Sequence, residues 1–120
     1  MSSCNIGRAE RLSRRRVGRF MLAATLIIAV ALSLLDAPNT VRALITAPLF
    51  GGILGLLQAR VGFCVAYGIA GVENLDEARV GTTRGVARSE RLRARLRALS
   101  LVLVAALLST ALSGLYLALF

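Results

Sequence analysis

Three apolar runs alternate with arginine-rich segments along the chain. The first, Phe20 to Leu35, reads FMLAATLIIAVALSLL and carries no charge. Extended back to Val17, it reaches the lower edge of the roughly 17–25 residues that cross a bilayer core. Asp36-Ala37-Pro38-Asn39-Thr40 then stops it, because Pro38 cannot continue a helix and Asp, Asn and Pro together favour a turn. The second run starts near Val41. Gln58 and Arg60 mark the expected end of its span, yet apolar character continues to Val72. At about 1.5 Å per residue that is too long for one upright helix. The chain is therefore expected to turn near Gly62, with residues 63–72 at the interface or folded back on the helices. A tilted helix running past Arg60 is the alternative. Pro48 should kink this helix, and Thr46 is placed to help a freed backbone carbonyl. The third run, Ala98 to Phe120, has 23 uncharged residues and spans with some tilt.

The pattern predicts an all-α integral membrane protein with transmembrane helices at about 18–35, 41–59 and 98–120. Residues 1–17 form a basic segment, read as a short surface helix or a leader. Residues 18–74 form a two-helix membrane domain, 75–97 an Arg-rich loop, and 98–120 the third helix. The basic start and first apolar run have the outline of a signal peptide. Pro38 and Asn39 stand where a processing site belongs, so a retained helix is expected. In the loop, Glu73, Asp76 and Glu77 precede seven arginines, and Gly81 and Gly85 bracket Thr82, Thr83 and Arg84. No Lys-Ser/Thr follows these glycines, so this is a linker and not a phosphate loop. Ser89 is a candidate N-cap for a helix starting at Glu90. Arg91, Arg93, Arg95 and Arg97 point different ways on that helix and form a collar suited to headgroups.

Composition agrees with this reading. Hydrophobic residues make up 57% and charged residues only 18%, against roughly half and a quarter in soluble domains. All fifteen basic residues are arginine and the net charge is +9. Because the arginines flank apolar runs and no nucleic-acid-binding motif is present, the expected partner is a bilayer with anionic headgroups, not nucleic acid. The segment before Phe20 nets +5, six arginines less Glu10. The loop from Asp36 to Arg42 is neutral, and Gln58 to Arg97 nets +4. The positive-inside rule then puts the N-terminus and the long loop in the cytoplasm and the C-terminus outside. The expected location is the inner (plasma) membrane, crossed several times.

Absence of histidine removes the usual general base and commonest metal ligand. Cys4 and Cys64 stand alone, without a CxxC. No catalytic constellation, metal site or cofactor is implied. Two other features stand out. Small residues recur every fourth position through the second run, at Ala43, Ala47, Gly51, Gly55 and Ala59. Such stripes let membrane helices approach closely, so Ala47, Gly51, Gly55 and Ala59 are candidate packing residues. On the third helix Ala105, Ser109 and Ser113 share one face, and Ala106, Thr110, Gly114 and Ala118 the adjacent one. The block Gly62-Phe63-Cys64-Val65-Ala66-Tyr67, followed by Gly71, is the one place that suggests chemistry. Arg60, four residues before Cys64, is a candidate to favour a thiolate there.

With these residues the first part of the chain resembles the YgaP-like inner-membrane domain, which occurs alone or fused to rhodanese sulfurtransferases. The matching positions are Asn5-Ile6-Gly7, Glu10-Arg11, Arg14 and Gly18, then Gly62, Phe63, Cys64, Tyr67 and Gly71. The resemblance covers about residues 5–74. Val65 stands where that family usually has proline, and the third helix lies outside its pattern. The resemblance implies two membrane helices, association through them, and a link to sulfur handling, with a rhodanese-type sulfurtransferase as a possible partner.

Three functions follow as expectations. The leading one is a helix-packing or interaction module without enzymatic activity, either a homo-oligomer or a holder of a membrane partner. The second is a sulfur-related role in which Cys64 takes up a persulfide or other sulfur species. The third is an oligomeric small-solute transporter subunit, with Arg60 as the one ionisable candidate on a path.

Overall fold

A computed structural model of the chain describes residues 4–75, 78–81 and 83–120. It is mostly helical, and three helices are long and apolar enough to cross a membrane: Arg8–Leu34, Asn39–Val61 and Arg88–Leu119. We label them as follows. Helix α1 is Arg8–Leu34. The second span comprises α2 (Asn39–Arg42), a 3-10 turn (Ala43–Ile45) and α3 (Thr46–Val61). A short α4 (Val65–Ala70) precedes α5 (Arg88–Leu119). Helix α3 packs along α1 and against α5, and α4 packs on α5. The whole measures 51 × 27 × 17 Å.

Helix α1 starts well before the apolar run, so the basic segment is no separate surface helix. Nothing between Arg8 and Arg19 breaks a helix, and Arg, Leu and Ala are good formers. Residues 4–7 are instead extended. The second span is interrupted one turn before Pro48, whose missing N–H leaves the preceding turn without its regular bond. The irregularity takes the form of the 3-10 turn at Ala43–Ile45. Thr46 does not meet a freed carbonyl; its hydroxyl donates to Ser113 Oγ at 2.8 Å.

Gly62 ends α3 in the left-handed region, at φ 71°, a conformation glycine adopts without a Cβ penalty. The chain does turn there and folds back, which excludes a helix continuing past Arg60. Helix α4 ends the same way at Gly71, φ 73°. Beyond it, β1 (Val72–Glu73) pairs antiparallel with β2 (Arg84–Gly85), and Asn74 bridges in parallel to Ile6. The segment expected to be only a linker therefore holds a two-stranded ribbon, and α5 begins at Arg88. Its N-cap is Ala87, without a side-chain bond, not Ser89. Asp76, Glu77 and Thr82, singled out from the sequence, lie outside the described residues.

The seam between α1 and α3 is built on glycine. A Cβ at Gly18 would lie 2.9 Å from the Leu56 nitrogen and 3.0 Å from the Gly52 oxygen. One at Gly55 would meet the Gly18 Cα at 3.1 Å and the Arg14 oxygen at 3.2 Å. At Gly52 it would meet Leu22 at 2.7 Å. The packing face thus runs through Gly52, Gly55 and Ala59, while Ala47 is exposed and Gly51 is half-buried against Met21. On α5, Ala105, Ser109 and Ser113 are buried, whereas Thr110, Gly114 and Ala118 face outward. Large apolar side chains such as Phe20, Ile27, Leu103 and Leu107 are exposed along the helices, each above 60%. That is the surface a lipid-facing bundle presents.

Candidate functional site

The arginine-rich end of the bundle gathers the Cys64 block, the N-terminal strand and the start of α5. Asn5 organises it. Its backbone N–H and that of Ile6 donate to the Gly62 carbonyl at 2.9 and 3.3 Å. Its side-chain amide donates to the Cys64 carbonyl at 3.0 Å and accepts from the Cys64 N–H. On its other edge the tail exchanges bonds with Asn74, Asn74 N–H to the Asn5 carbonyl at 2.8 Å and Gly7 N–H to the Asn74 carbonyl at 2.7 Å. Both polar groups of a buried turn are thereby satisfied, as burial requires. Gln58 completes the turn by accepting from the Val65 N–H at 2.8 Å.

Each residue of the sequence block has a place here. Gly62 leaves room for the Arg11 guanidinium, which a Cβ would strike. Phe63 is buried with Val65, Ala98 and Leu101, and the Arg97 guanidinium lies 5.5 Å from its ring centroid. Cys64 is 2% exposed and is the N-cap residue of α4. Tyr67 sits under Arg14, 5.9 Å from guanidinium to ring centroid. Gly71 closes α4.

The cation on Cys64 comes from α1. Arg14 Nη2 donates to Cys64 Sγ at 3.1 Å, whereas Arg60, the expected neighbour, is exposed while Cys64 is buried. The reason is the fold: residues four apart share a helix face only while the helix continues, and Gly62 breaks it. Cys4 has its own cation, Arg11 Nη2 at 3.3 Å, and its thiol donates to the Val61 carbonyl at 3.5 Å. Two thiols outside any disulfide, each met by a guanidinium from α1, therefore flank the end of α3.

Glu10 is fully buried beside them. Its nearest charge is Arg14 at 3.8 Å, and neither carboxylate oxygen completes a hydrogen bond among the described residues. Tyr67 is poised as a donor to it without reaching bonding geometry. This acceptor, followed by burial, pushes the Tyr67 phenol above its ordinary value. A buried charge with one partner and no hydrogen bonds is costly to the fold.

The arginine collar is also drawn inward in part. Arg95 donates to the Ile69 carbonyl at 3.4 Å and Arg91 to the Val86 carbonyl at 3.2 Å, tying α4 and the ribbon to α5. At the other end of the bundle, Tyr116 donates to the Ala29 carbonyl at 2.8 Å and contacts Ser33 Oγ at 2.8 Å. Arg42 is buried near the start of the second span.

Sequence reasoning missed Asn5, Glu10, Arg14 and Gly18 as members of the site or seam. All four stood in the N-terminal pattern of the resemblance, which was the available signal. No family model, no characterised relative and no solved structure matches the chain.

Proposed function

We propose that the protein is a multi-pass inner-membrane interaction module that associates through the outward small-residue face of α5. The supporting observation is the division of that helix. Ala105, Ser109 and Ser113 are used against α3, while Thr110, Gly114 and Ala118 are exposed, and a Cβ at Gly114 would meet nothing within 4 Å. Small residues on a lipid-facing surface favour close helix contact, since lipid supplies little hydrophobic drive. The charge distribution supports an arginine-rich end in the cytoplasm, in contact with anionic headgroups, and a C-terminus outside. The glycines of α3 are engaged within the chain, so association falls to α5. Chemical crosslinking and detergent-corrected sizing test the reading. The expected result is a species larger than one chain, reduced to one chain by Gly114→Leu. An unchanged species in that variant would end it.

A second reading rests on the Arg14–Cys64 contact. A persulfide on Cys64 is anionic, and the guanidinium 3.1 Å from its sulfur is placed to hold that charge. The YgaP-like resemblance points the same way, toward a rhodanese-type donor. Thiol labelling in intact vesicles tests it, and a Cys64 that stays unlabelled at every pH removes it.

A further inference from the structure

We infer that Arg42 holds a phosphate-type oxyanion at the end of the bundle opposite Cys64, supplied by a lipid headgroup or by free phosphate. The inference uses no residue of the outward α5 face and does not depend on association there.

Arg42 stands where the second span presents its inner side. The buried positions of that span include Arg42, Ile45, Leu49 and Gly52, at steps of three and four, the spacing of one helix face. A cation thus occupies the first position of a stripe that is otherwise apolar. Its level in the bundle is fixed by two bonds. The Arg42 N–H donates to the Pro38 carbonyl at 3.0 Å, and Thr46, one turn on, donates to Ser113 Oγ at 2.8 Å. The last turns of α5 therefore lie at the same end, where Tyr116 ties α5 to α1 at the Ala29 carbonyl.

The charge is left without a counterpart. Arg42 is 8% exposed, and its Nε is sealed from solvent with no hydrogen-bond partner among the described residues. It belongs to no ion pair among them. From Phe20 to Leu57 and from Ala98 to Phe120, the only other charged side chain is Asp36. Asp36 is exposed and is likewise in no ion pair among the described residues. An arginine at a membrane boundary ordinarily buries its stem and keeps its head in water. Here the Nε of the head is drawn in with the stem. The guanidinium cannot discharge by losing a proton. A buried cation without a partner destabilises the fold that buries it, so the site is complete only with an anion.

The guanidinium selects that anion. Its donors form a planar fork that matches two oxygens of one phosphate. Position favours the same group. Arg42 lies near the start of a span long and apolar enough to cross a membrane, and the polar headgroup region lies where the apolar part of such a span ends. Exposed arginines attract headgroups in general, whereas a guanidinium held between helices fits one phosphate in one geometry.

The experiment places the full chain, labelled with ¹⁵N-arginine, in nanodiscs of a neutral, phosphate-free galactolipid. The Arg42 Nε–H resonance is identified as the one lost in Arg42→Lys, and its exchange with water is measured. Two additions are compared: millimolar inorganic phosphate, and a minority of phosphatidylglycerol in the disc. The expected result is exchange about tenfold slower at Arg42 with at least one of them, and no comparable slowing at the exposed Arg60. Slowing with phosphatidylglycerol alone assigns the site to a lipid headgroup, and slowing with inorganic phosphate assigns it to the free ion. Three results would overturn the proposal. One is exchange at Arg42 that neither addition changes. Another is equal slowing at Arg60, which is general attraction to headgroups. The third is exchange already slow in phosphate-free discs and speeded by Asp36→Asn, which makes Asp36 the counterion.

Discussion

Two faces rich in small residues lie on neighbouring helices and have opposite fates. On α3, Gly52 and Gly55 press against α1 so closely that an added Cβ would come within 2.7 Å of Leu22 and 3.1 Å of Gly18. On α5, Gly114 opens onto nothing within 4 Å. Spacing alone does not separate them, since both are small residues three or four positions apart. What separates them is whether another helix of the same chain is already there. A glycine stripe is therefore evidence of close approach, and only the neighbour's position says whether the approach is within one chain or between two.

The contrast breaks most readily on α3. Gly52→Leu or Gly55→Leu should force α1 away from α3 and cost about 3 kcal/mol, seen as early unfolding in a dodecyl sulfate titration followed by circular dichroism. If either variant unfolds like the parent, the seam is not what holds these helices. Asn5→Ala comes next. It leaves the buried N–H of Cys64 without a partner, at about 2 kcal/mol, while the Cys64 carbonyl keeps the Gly68 N–H; it should speed amide exchange in residues 62–65 while the long helices stay protected. Gly114→Leu should change stability by no more than about 0.5 kcal/mol yet abolish association, which sharpens the comparison from its quiet side. The smallest effect is a titration. Tyr67 ionises above its ordinary value in the fold. Its share of stability is thus fully present below the ordinary phenol range and lost as pH rises through the folded value. Ultraviolet titration of the parent against Tyr67→Phe isolates that phenol, and Glu10→Gln should move it downward.

The three long apolar helices were legible because uncharged apolar runs of this length favour helices long enough to cross a membrane, and the turn at Gly62 because the second apolar run is too long for one such helix. The composition of the site was only half legible. Gly62 and Gly71 act through local backbone geometry, which a short motif can carry. The partner of Cys64 was not legible, because Arg14 lies fifty positions away and reaches it through a helix seam. Arg60 was the nearer cation in sequence, and the left-handed Gly62 turned Cys64 away from it. Gly18 and Gly52 escaped notice for a related reason. The stripe was counted along one helix in steps of four, whereas the contact follows the crossing of two helices and shifts from Gly51 to Gly52 on the way. The collar of arginines misled in part, since Arg95 finds the Ile69 carbonyl in α4 and Arg97 the Phe63 ring in the turn before it, partners that only the fold brings near.

The strand around Asn5 carries a consequence for the order in which the molecule is made. Helices α1 and α3 are neighbours in sequence and can close as a hairpin as soon as Val61 has been synthesised, since short loops close fastest. Asn5 cannot lock then. Its partners are Gly62, Cys64 and Asn74, and Asn74 is held in turn by a ribbon whose second strand ends at Gly85. A strand synthesised before both helices thus settles after them, and a chain arrested before β2 would hold its helix pair with the Asn5 strand unfastened.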